Sequence, residues 1–247
     1  MSTRLNGKRA LVTGGSRGIG AAIAQRLAAE GADVAITYAA SKEKADAVVA
    51  QIKAAGRRGF AVQANAADAE AQQAGVNAAI DALGGLDILV HNAGVANMAP
   101  ITEGTMEDFR HQFGTNVEGV FAGTLAAAPR LSDGGGIIVI GSNASHWTPM
   151  PGFAVYNATK AAVALLVQGW ARDLAPRGIR VNAVQPGPID TDMNPADGDL
   201  AKAFTDRIPL GRYGTGDEVG ALVAFLASDD ASFITGARID IDGGLSL

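Results

Sequence analysis

Apolar and polar positions alternate along the chain in two kinds of run. Residues 8–13 (KRALVT), 33–38 (DVAITY), 59–64 (GFAVQA), 86–90 (LDILV), 137–140, 179–184 (IRVNAV) and 238–241 are short, largely apolar and β-branched, and read as strands. Between them lie stretches of helical periodicity at 18–30, 42–55, 68–83, 106–128 and 155–174, then a short one at 199–207 and another at 217–227. Most strand runs lack polar alternation, as expected when helices cover both faces of a parallel sheet. The pattern predicts an α/β fold, a doubly wound parallel sheet of about seven strands. No Pro/Ser-rich linker, charge block or repeat divides residues 1–247, so a single domain is expected. The one long irregular insertion begins at Pro186, and residues 187–209 are expected to form a lid over a site.

Composition narrows the class. The chain is 48 % hydrophobic and 18 % charged, with aromatics only 5 %, so Ala, Val, Ile and Leu must fill a large core. A net charge of −5 argues against nucleic acid or an anionic membrane surface as partner. No apolar run reaches the ~18 residues of a spanning helix. The first residues lack a signal-peptide layout, so a soluble, cytoplasmic protein is expected. With no cysteine, disulfides and thiolate metal sites are excluded, and no metal is expected.

Thr13-Gly-Gly-Ser-Arg-Gly-Ile-Gly20 joins the first strand to the first helix. A doubly wound fold seats a phosphate there, on backbone N–H groups at the helix N-terminus. Gly14 suits the tight turn, Gly18 the close approach of a pyrophosphate, and Gly20 helix–strand packing; the spacing is G-x-x-x-G-x-G, not G-x-G-x-x-G. The same turn fits the hydrolase elbow G-x-S-x-G through Ser16, but that reading needs a late histidine, and His91, His111 and His146 are the only ones. An acid about 20 residues beyond the glycines commonly holds the adenine ribose. Here the second strand runs into Tyr38-Ala-Ala-Ser41-Lys42 with no acid before Glu43. A carboxylate would repel a 2′-phosphate, whereas Arg17, Ser41 and Lys42 favour one. The expected cofactor is NADP(H) rather than NAD(H), with Lys44 read as surface.

The stretch from Ser142 to Lys160, SNASHWTPMPGFAVYNATK, follows the fifth strand and enters a helix. Tyr156 and Lys160 are four apart and share a helix face. A nearby ammonium favours the phenolate, and moving a phenol from ~10 to ~7 takes roughly 4 kcal/mol. A lysine in a partly dry site, helped by a cationic cofactor ring, could supply it.

Seven pieces in order carry a resemblance: T-G-G-S-R-G-I-G, H-N-A-G from His91 to Gly94, Asn116, Ser142, Y-N-A-T-K, P-G-P-I-D-T from Pro186 to Thr191, and D-G-G from Asp242 to Gly244. Along its whole length the chain resembles the short-chain dehydrogenase/reductase family. The resemblance implies a Rossmann-like fold and reversible NADPH-dependent reduction of a ketone or aldehyde, with hydride from nicotinamide and a proton from Tyr156. Lys160 would lower the tyrosine pKa and hold the nicotinamide ribose. Ser142 would hydrogen-bond the substrate oxygen, and Asn116 would hold a water linking Lys160 to solvent. Asn92, Ala93 and Gly94 would line the adenosine and ribose side, Asn65 and Ala66 the adenine. Ile189 and Thr191 would meet the nicotinamide carboxamide and phosphates, and Ser16, Ile19, Tyr38, Pro186 and Gly187 complete the expected cofactor set. Family members usually pair the 106–128 and post-Tyr156 helices, here rich in small residues, so a homotetramer is expected.

Two departures stand out. His91 replaces the usual first Asn and reads as a packing or strand-end group. Fourteen residues separate Ser142 from Tyr156, one more than in many members; strict counting lands on Asn143, and Ser145 is a further substitute, but Ser142 follows Gly141 at the strand end as the pattern requires. Residues 184–198, with T-Y-A-A-S-K, look closest to a bacterial branch of 3-oxoacyl-reductase-like ketoreductases, which also includes cyclic-di-GMP-binding biofilm dispersal mediators. A nucleotide-binding regulator is therefore the alternative function. Candidates for the pocket of a small carbonyl or alcohol substrate are Asn97, His146, Trp147, Met150, Phe153 and Met193, beside Ser142.

Overall fold

The computed structural model describes residues 3–198 and 201–247. Seven parallel strands, β1 (Arg9–Val12), β2 (Asp33–Tyr38), β3 (Gly59–Gln63), β4 (Leu86–His91), β5 (Leu131–Ile140), β6 (Arg180–Pro186) and β7 (Arg238–Ile241), pair in the order β3-β2-β1-β4-β5-β6-β7. The order reverses between β1 and β4, and at such a switch point the crossovers part to opposite faces and leave a crevice at the strand ends.

Period-two alternation sorts each strand between two cores. Ala10, Val12, Ile88, Val90, Ile138 and Ile140 face one way, against α1 (Gly18–Ala29), α2 (Lys42–Ala54) and α8 (Gly216–Ala227). Leu11, Leu89, Ile137 and Val139 face the other, against α3 (Ala69–Leu83), α5 (Gly119–Ala127) and α6 (Ala154–Leu174). Both faces are buried, which is why the central runs carry no polar alternation. Helix starts follow local chemistry: Asp68 accepts N–H bonds from Glu70 and Ala71 to cap α3, and Thr215 with Glu218 forms a capping box on α8.

The helix expected over 106–128 is not continuous. α4 (Met106–Phe113) passes into a π-helical turn, Gly114–Glu118, before α5 begins, and the Gly119 N–H bonds back five residues to the Gly114 carbonyl. Gly119 needs to be small there, since a Cβ would overlap the Ala66 carbonyl. The wider turn carries Asn116, and π turns often mark functional sites. The short helix expected at 199–207 is α7 (Ala201–Thr205), and Asp199 and Leu200 lie outside the described residues. The fifth strand starts six residues earlier than its apolar run, at Leu131, across a register shift against β4.

His91 ends β4 fully buried, its Nε2 2.9 Å from Thr124 Oγ1. Thr124 donates its own hydroxyl to the Val120 carbonyl, so the imidazole must donate from Nε2, and burial pushes its pKa down to about 3. Above pH ~6.5 the ring is neutral folded or unfolded. Below that the unfolded chain takes up a proton that the buried ring resists, so stability falls as pH drops. The melting temperature is expected to decline from pH ~6.5 downward, and more gently in His91→Gln. Equal slopes in the two proteins would remove His91 from the acid response.

Candidate active site

A cleft of about 520 Å³ opens at the switch point. Its floor is the glycine turn, where Gly14 and Gly18 adopt φ of +63° and +53°, conformations that side chains disfavour. The turn is tied to the end of β4. Asn92 and Ala93 donate their N–H groups to Thr13 Oγ1 at 3.0 and 3.2 Å, and Asn92 Nδ2 donates to the Thr13 and Gly14 carbonyls at 3.1 and 3.0 Å. A Cβ at Gly20 would overlap Asn92 Nδ2 and the Gly14 carbonyl, which accounts for the third glycine. Asn92 thus braces the turn with its side chain while lining the cleft.

At the far wall, Tyr156 and Lys160 rise from α6, with Lys160 Nζ 5.7 Å from the Tyr156 ring centre. Lys160 donates to the Ile140 carbonyl at 3.1 Å, and burial lowers its pKa to about 8. Burial also raises the Tyr156 pKa above its ordinary value, because it disfavours the charged phenolate, and the Ser142 hydroxyl opposes that shift. Ser142 faces Tyr156 across the cleft, and its Oγ accepts the Ala144 N–H at 3.2 Å, leaving the hydroxyl proton free to donate. The neighbours that sequence counting raised point elsewhere: Asn143 donates to Asp242, and Ser145 accepts from Gln185.

Asn116 binds protein on both ends of its amide. Its Oδ1 accepts the Val95 N–H at 2.8 Å, and its Nδ2 donates to the Val95 carbonyl at 2.8 Å and to Thr159 Oγ1 at 3.0 Å. It clamps the loop after β4 to the helix that carries Tyr156. A Cβ on Gly94 would stand 3.3 Å from Asn116 Oδ1 and 3.5 Å from Lys160 Nζ, so this glycine keeps the space between them open.

Of the residues expected to hold a dinucleotide, Ser16, Arg17, Ile19, Tyr38, Ser41, Asn65, Ala66, Ala93, Pro186, Gly187 and Thr191 line the cleft with the glycines, Asn92, Tyr156 and Lys160. Two do not. Lys42 turns along its own helix to Asp46, 2.7 Å away, because the i, i+4 carboxylate is nearer than the cleft. Ile189 is buried in the first core, bridged by its backbone to Gly214. Lys44 instead reaches Asp192, on the cleft rim, at 3.0 Å, a contact 148 positions apart that no local pattern announces.

The substrate candidates are mostly displaced. Only Ser142 and Met193 line the cleft. Trp147, Met150 and Phe153 pack against Ala201, Phe204, Ile208, Tyr213 and Leu245, fixing the segment after β6. His146 turns toward Asp240, 3.8 Å away, and Asn97 donates to Asp108 at 2.7 Å. The loop position of these aromatic and Met side chains suggests pocket walls, but they have the apolar face of α7 to bury against. Cleft residues without a sequence signal are Val95, Ala96, His111, Thr115 and Asp192. Among the described residues no histidine bonds Ser16 and no group of three or more metal-ligating side chains forms, and no helix is long and apolar enough to cross a membrane.

Overpacking Gly20 with a methyl group is expected to cost about 1–3 kcal/mol. Gly20→Ala should then melt lower by roughly 2–4 °C per kcal/mol and bind dinucleotides more weakly. Unchanged melting and binding would show that Asn92 has room to move.

A family model described as enoyl-(acyl carrier protein) reductase matches residues 14–246. The 3-oxoacyl-[acyl-carrier-protein] reductase FabG of Staphylococcus aureus is 45 % identical over 97 % of this chain and 98 % of its own. The cyclic-di-GMP-binding biofilm dispersal mediator protein of Escherichia coli is 41 % identical over 96 % of each. A short-chain dehydrogenase of Burkholderia cenocepacia, solved in complex with NADP, superposes with a TM-score of 0.97 at 51 % identity, covering 99 % of this chain and 100 % of that one. With the fold, the glycine turn and the Tyr156–Lys160 wall in agreement, the chain belongs to the short-chain dehydrogenase/reductase family of oxidoreductases.

Proposed function

We propose that the protein is an NADPH-dependent carbonyl reductase that converts a ketone or aldehyde to an alcohol, reversibly. The observation that carries this reading is the Tyr156 phenol and the Ser142 hydroxyl facing one another in the same cleft, beside Lys160. Two donors aimed at one oxygen suit a reaction that builds negative charge there. Tyr156 would release its proton to that oxygen as the charge develops. Ser142 would hold the oxygen in place, and Lys160 would compensate the phenolate left behind. In the alcohol-to-carbonyl direction the same phenolate would take the proton back.

The residues present fit a dinucleotide phosphate. The turn offers backbone N–H groups at the start of α1 and has no Cβ where a pyrophosphate would approach. Bound NADPH would supply the hydride. At the end of β2 the cleft is lined by Tyr38, Ala39, Ala40 and Ser41, with no carboxylate, and Ser41 caps α2 without using its side chain. Arg17 stands at the N-cap of α1, and its side chain forms no hydrogen bond among the described residues. These are the groups that would receive a 2′-phosphate, and the Burkholderia relative was solved with NADP. The cyclic-dinucleotide reading draws on the name of one relative; a binding protein has no need of the Ser142–Tyr156–Lys160 arrangement.

Assembly into a homotetramer is part of the proposal. Phe121 and Leu125 on α5 and Leu165 on α6 are large apolar side chains left exposed, whereas the small Ala127 and Ala164 of the same helices are buried within the chain.

A panel of ketones and alcohols run with NADPH and NADH tests the reading. Tyr156→Phe is expected to lose about 10²–10⁴ in kcat while binding NADPH as before. Full turnover in that variant, or no reduction of any carbonyl by the wild type, would overturn it. Arg17→Ala should raise KM for NADPH by about tenfold or more, the worth of a charged hydrogen bond, and leave KM for NADH unchanged.

A further inference from the structure

Gln185 is a polar residue one position before the end of β6, fully buried beneath the turn that carries Ser142. Its Oε1 accepts the Ser142 N–H at 2.6 Å, and its Nε2 donates to Ser145 Oγ at 2.9 Å. The two bonded residues are the ends of a single turn, closed by the Ser145 N–H on the Ser142 carbonyl at 2.9 Å. One carboxamide therefore grips both ends of the turn, one arm as acceptor and the other as donor. Gly141 makes room for it, since a Cβ there would overlap Gln185 Oε1. The outer side of the same turn is held separately, where Asn143 Nδ2 donates to Asp242 Oδ2 at 3.1 Å.

We propose that Gln185 is a positioning residue for Ser142: its carboxamide clamps the Ser142–Ser145 turn so that the serine hydroxyl faces Tyr156. The proposal rests on the carbonyl-reductase reading for its catalytic consequence. The extra residue between Ser142 and Tyr156 makes such a clamp useful, because a longer loop has more ways to turn the serine aside. A buried carboxamide with both arms satisfied fixes its partners; removing it leaves the buried Ser142 N–H unpartnered and Ser145 Oγ with only His146 Nδ1, 3.3 Å away. Misplacement of a reacting group by about 1 Å costs on the order of 10²-fold in rate.

The test uses Gln185→Met, which keeps length and apolar bulk and removes both bonds, and Gln185→Glu. The methionine variant is expected to lose about 10–100-fold in kcat for carbonyl reduction, with KM for NADPH within about twofold of wild type. The glutamate variant keeps an acceptor for Ser142 and lets the Ser145 hydroxyl turn round to donate, so it should recover most of kcat. Hydrogen–deuterium exchange of the peptide over residues 141–146 gives a readout that needs no activity: faster in Gln185→Met, near wild type in Gln185→Glu. Wild-type kcat and exchange in the methionine variant would overturn the clamp, as would a glutamate variant no better than methionine. If the methionine variant does not fold, Ser145→Ala cuts one arm only and should lower kcat by about 3–10-fold with faster exchange. Wild-type behaviour in Ser145→Ala would then overturn it. A wild-type protein that reduces no carbonyl fails the reductase reading alone, because the exchange comparison still decides the clamp.

Discussion

The structure depends on how the chain satisfies its backbone at the reversal of the sheet between β1 and β4. Strands that part there leave N–H and carbonyl groups with no ladder partner, at the spot where a ligand must be admitted. Thr13 and Asn92 answer this for each other: the threonine hydroxyl accepts two N–H groups, and the asparagine amide covers two carbonyls. What remains free is the set of N–H groups at the start of α1, aimed into the cleft. The glycine turn can then be both fixed in shape and open to an anion. Its third glycine is the steric counterpart of Asn92 rather than an independent device.

A second chain of bonds carries this order to the opposite wall. The loop leaving β4 is held by Asn116 through both backbone groups of Val95, and Asn116 also donates to Thr159. Thr159 in turn donates to the Tyr156 carbonyl at 2.7 Å. The π turn makes this possible by swinging Asn116 inward between β4 and α6. The same burial that orders the wall sets its electrostatics: it keeps the Tyr156 proton on and weakens the hold of Lys160 on its own. Burial thus biases both groups toward their neutral forms.

The elements legible in the sequence were those whose signal is local. Seven apolar runs became seven strands, and the glycine turn and Tyr156–Lys160 pair needed only a strand and a helix in known order. Features set by distant partners were not legible. Lys42 and Lys44 differ by two positions, yet one spends its charge on Asp46 and the other reaches Asp192, which depends on where the segment after β6 comes to rest. The π turn at Asn116 cannot be told from a regular helix by periodicity: an inserted residue offsets the pattern by about 100°, but α5 is apolar or small on nearly every face and has no stripe in which the offset would show. Gln185 reads in sequence as one polar interruption of a strand, and its role appears only when β5 and β6 lie side by side, with Ile140 opposite Val184.

The aromatic residues first read as pocket walls have a different and more connected task. Trp147, Met150 and Phe153 join Phe204 and Ile208 in a third apolar cluster, apart from the two cores that flank the sheet. Phe153 also meets the Tyr156 ring edge-on, with centres 6.4 Å apart. One face of the cluster thus packs against the segment after β6, and another backs the Tyr156 ring. An edge-on aromatic contact contributes on the order of 1 kcal/mol, enough to favour one ring position and little enough to let it shift. Any displacement of the segment that carries α7 must be felt at Phe153, and through it at Tyr156. The segment after β6 and the Tyr156 ring are in this sense parts of one packing unit, and Thr191, Asp192 and Met193 are the side chains by which that segment meets the cleft.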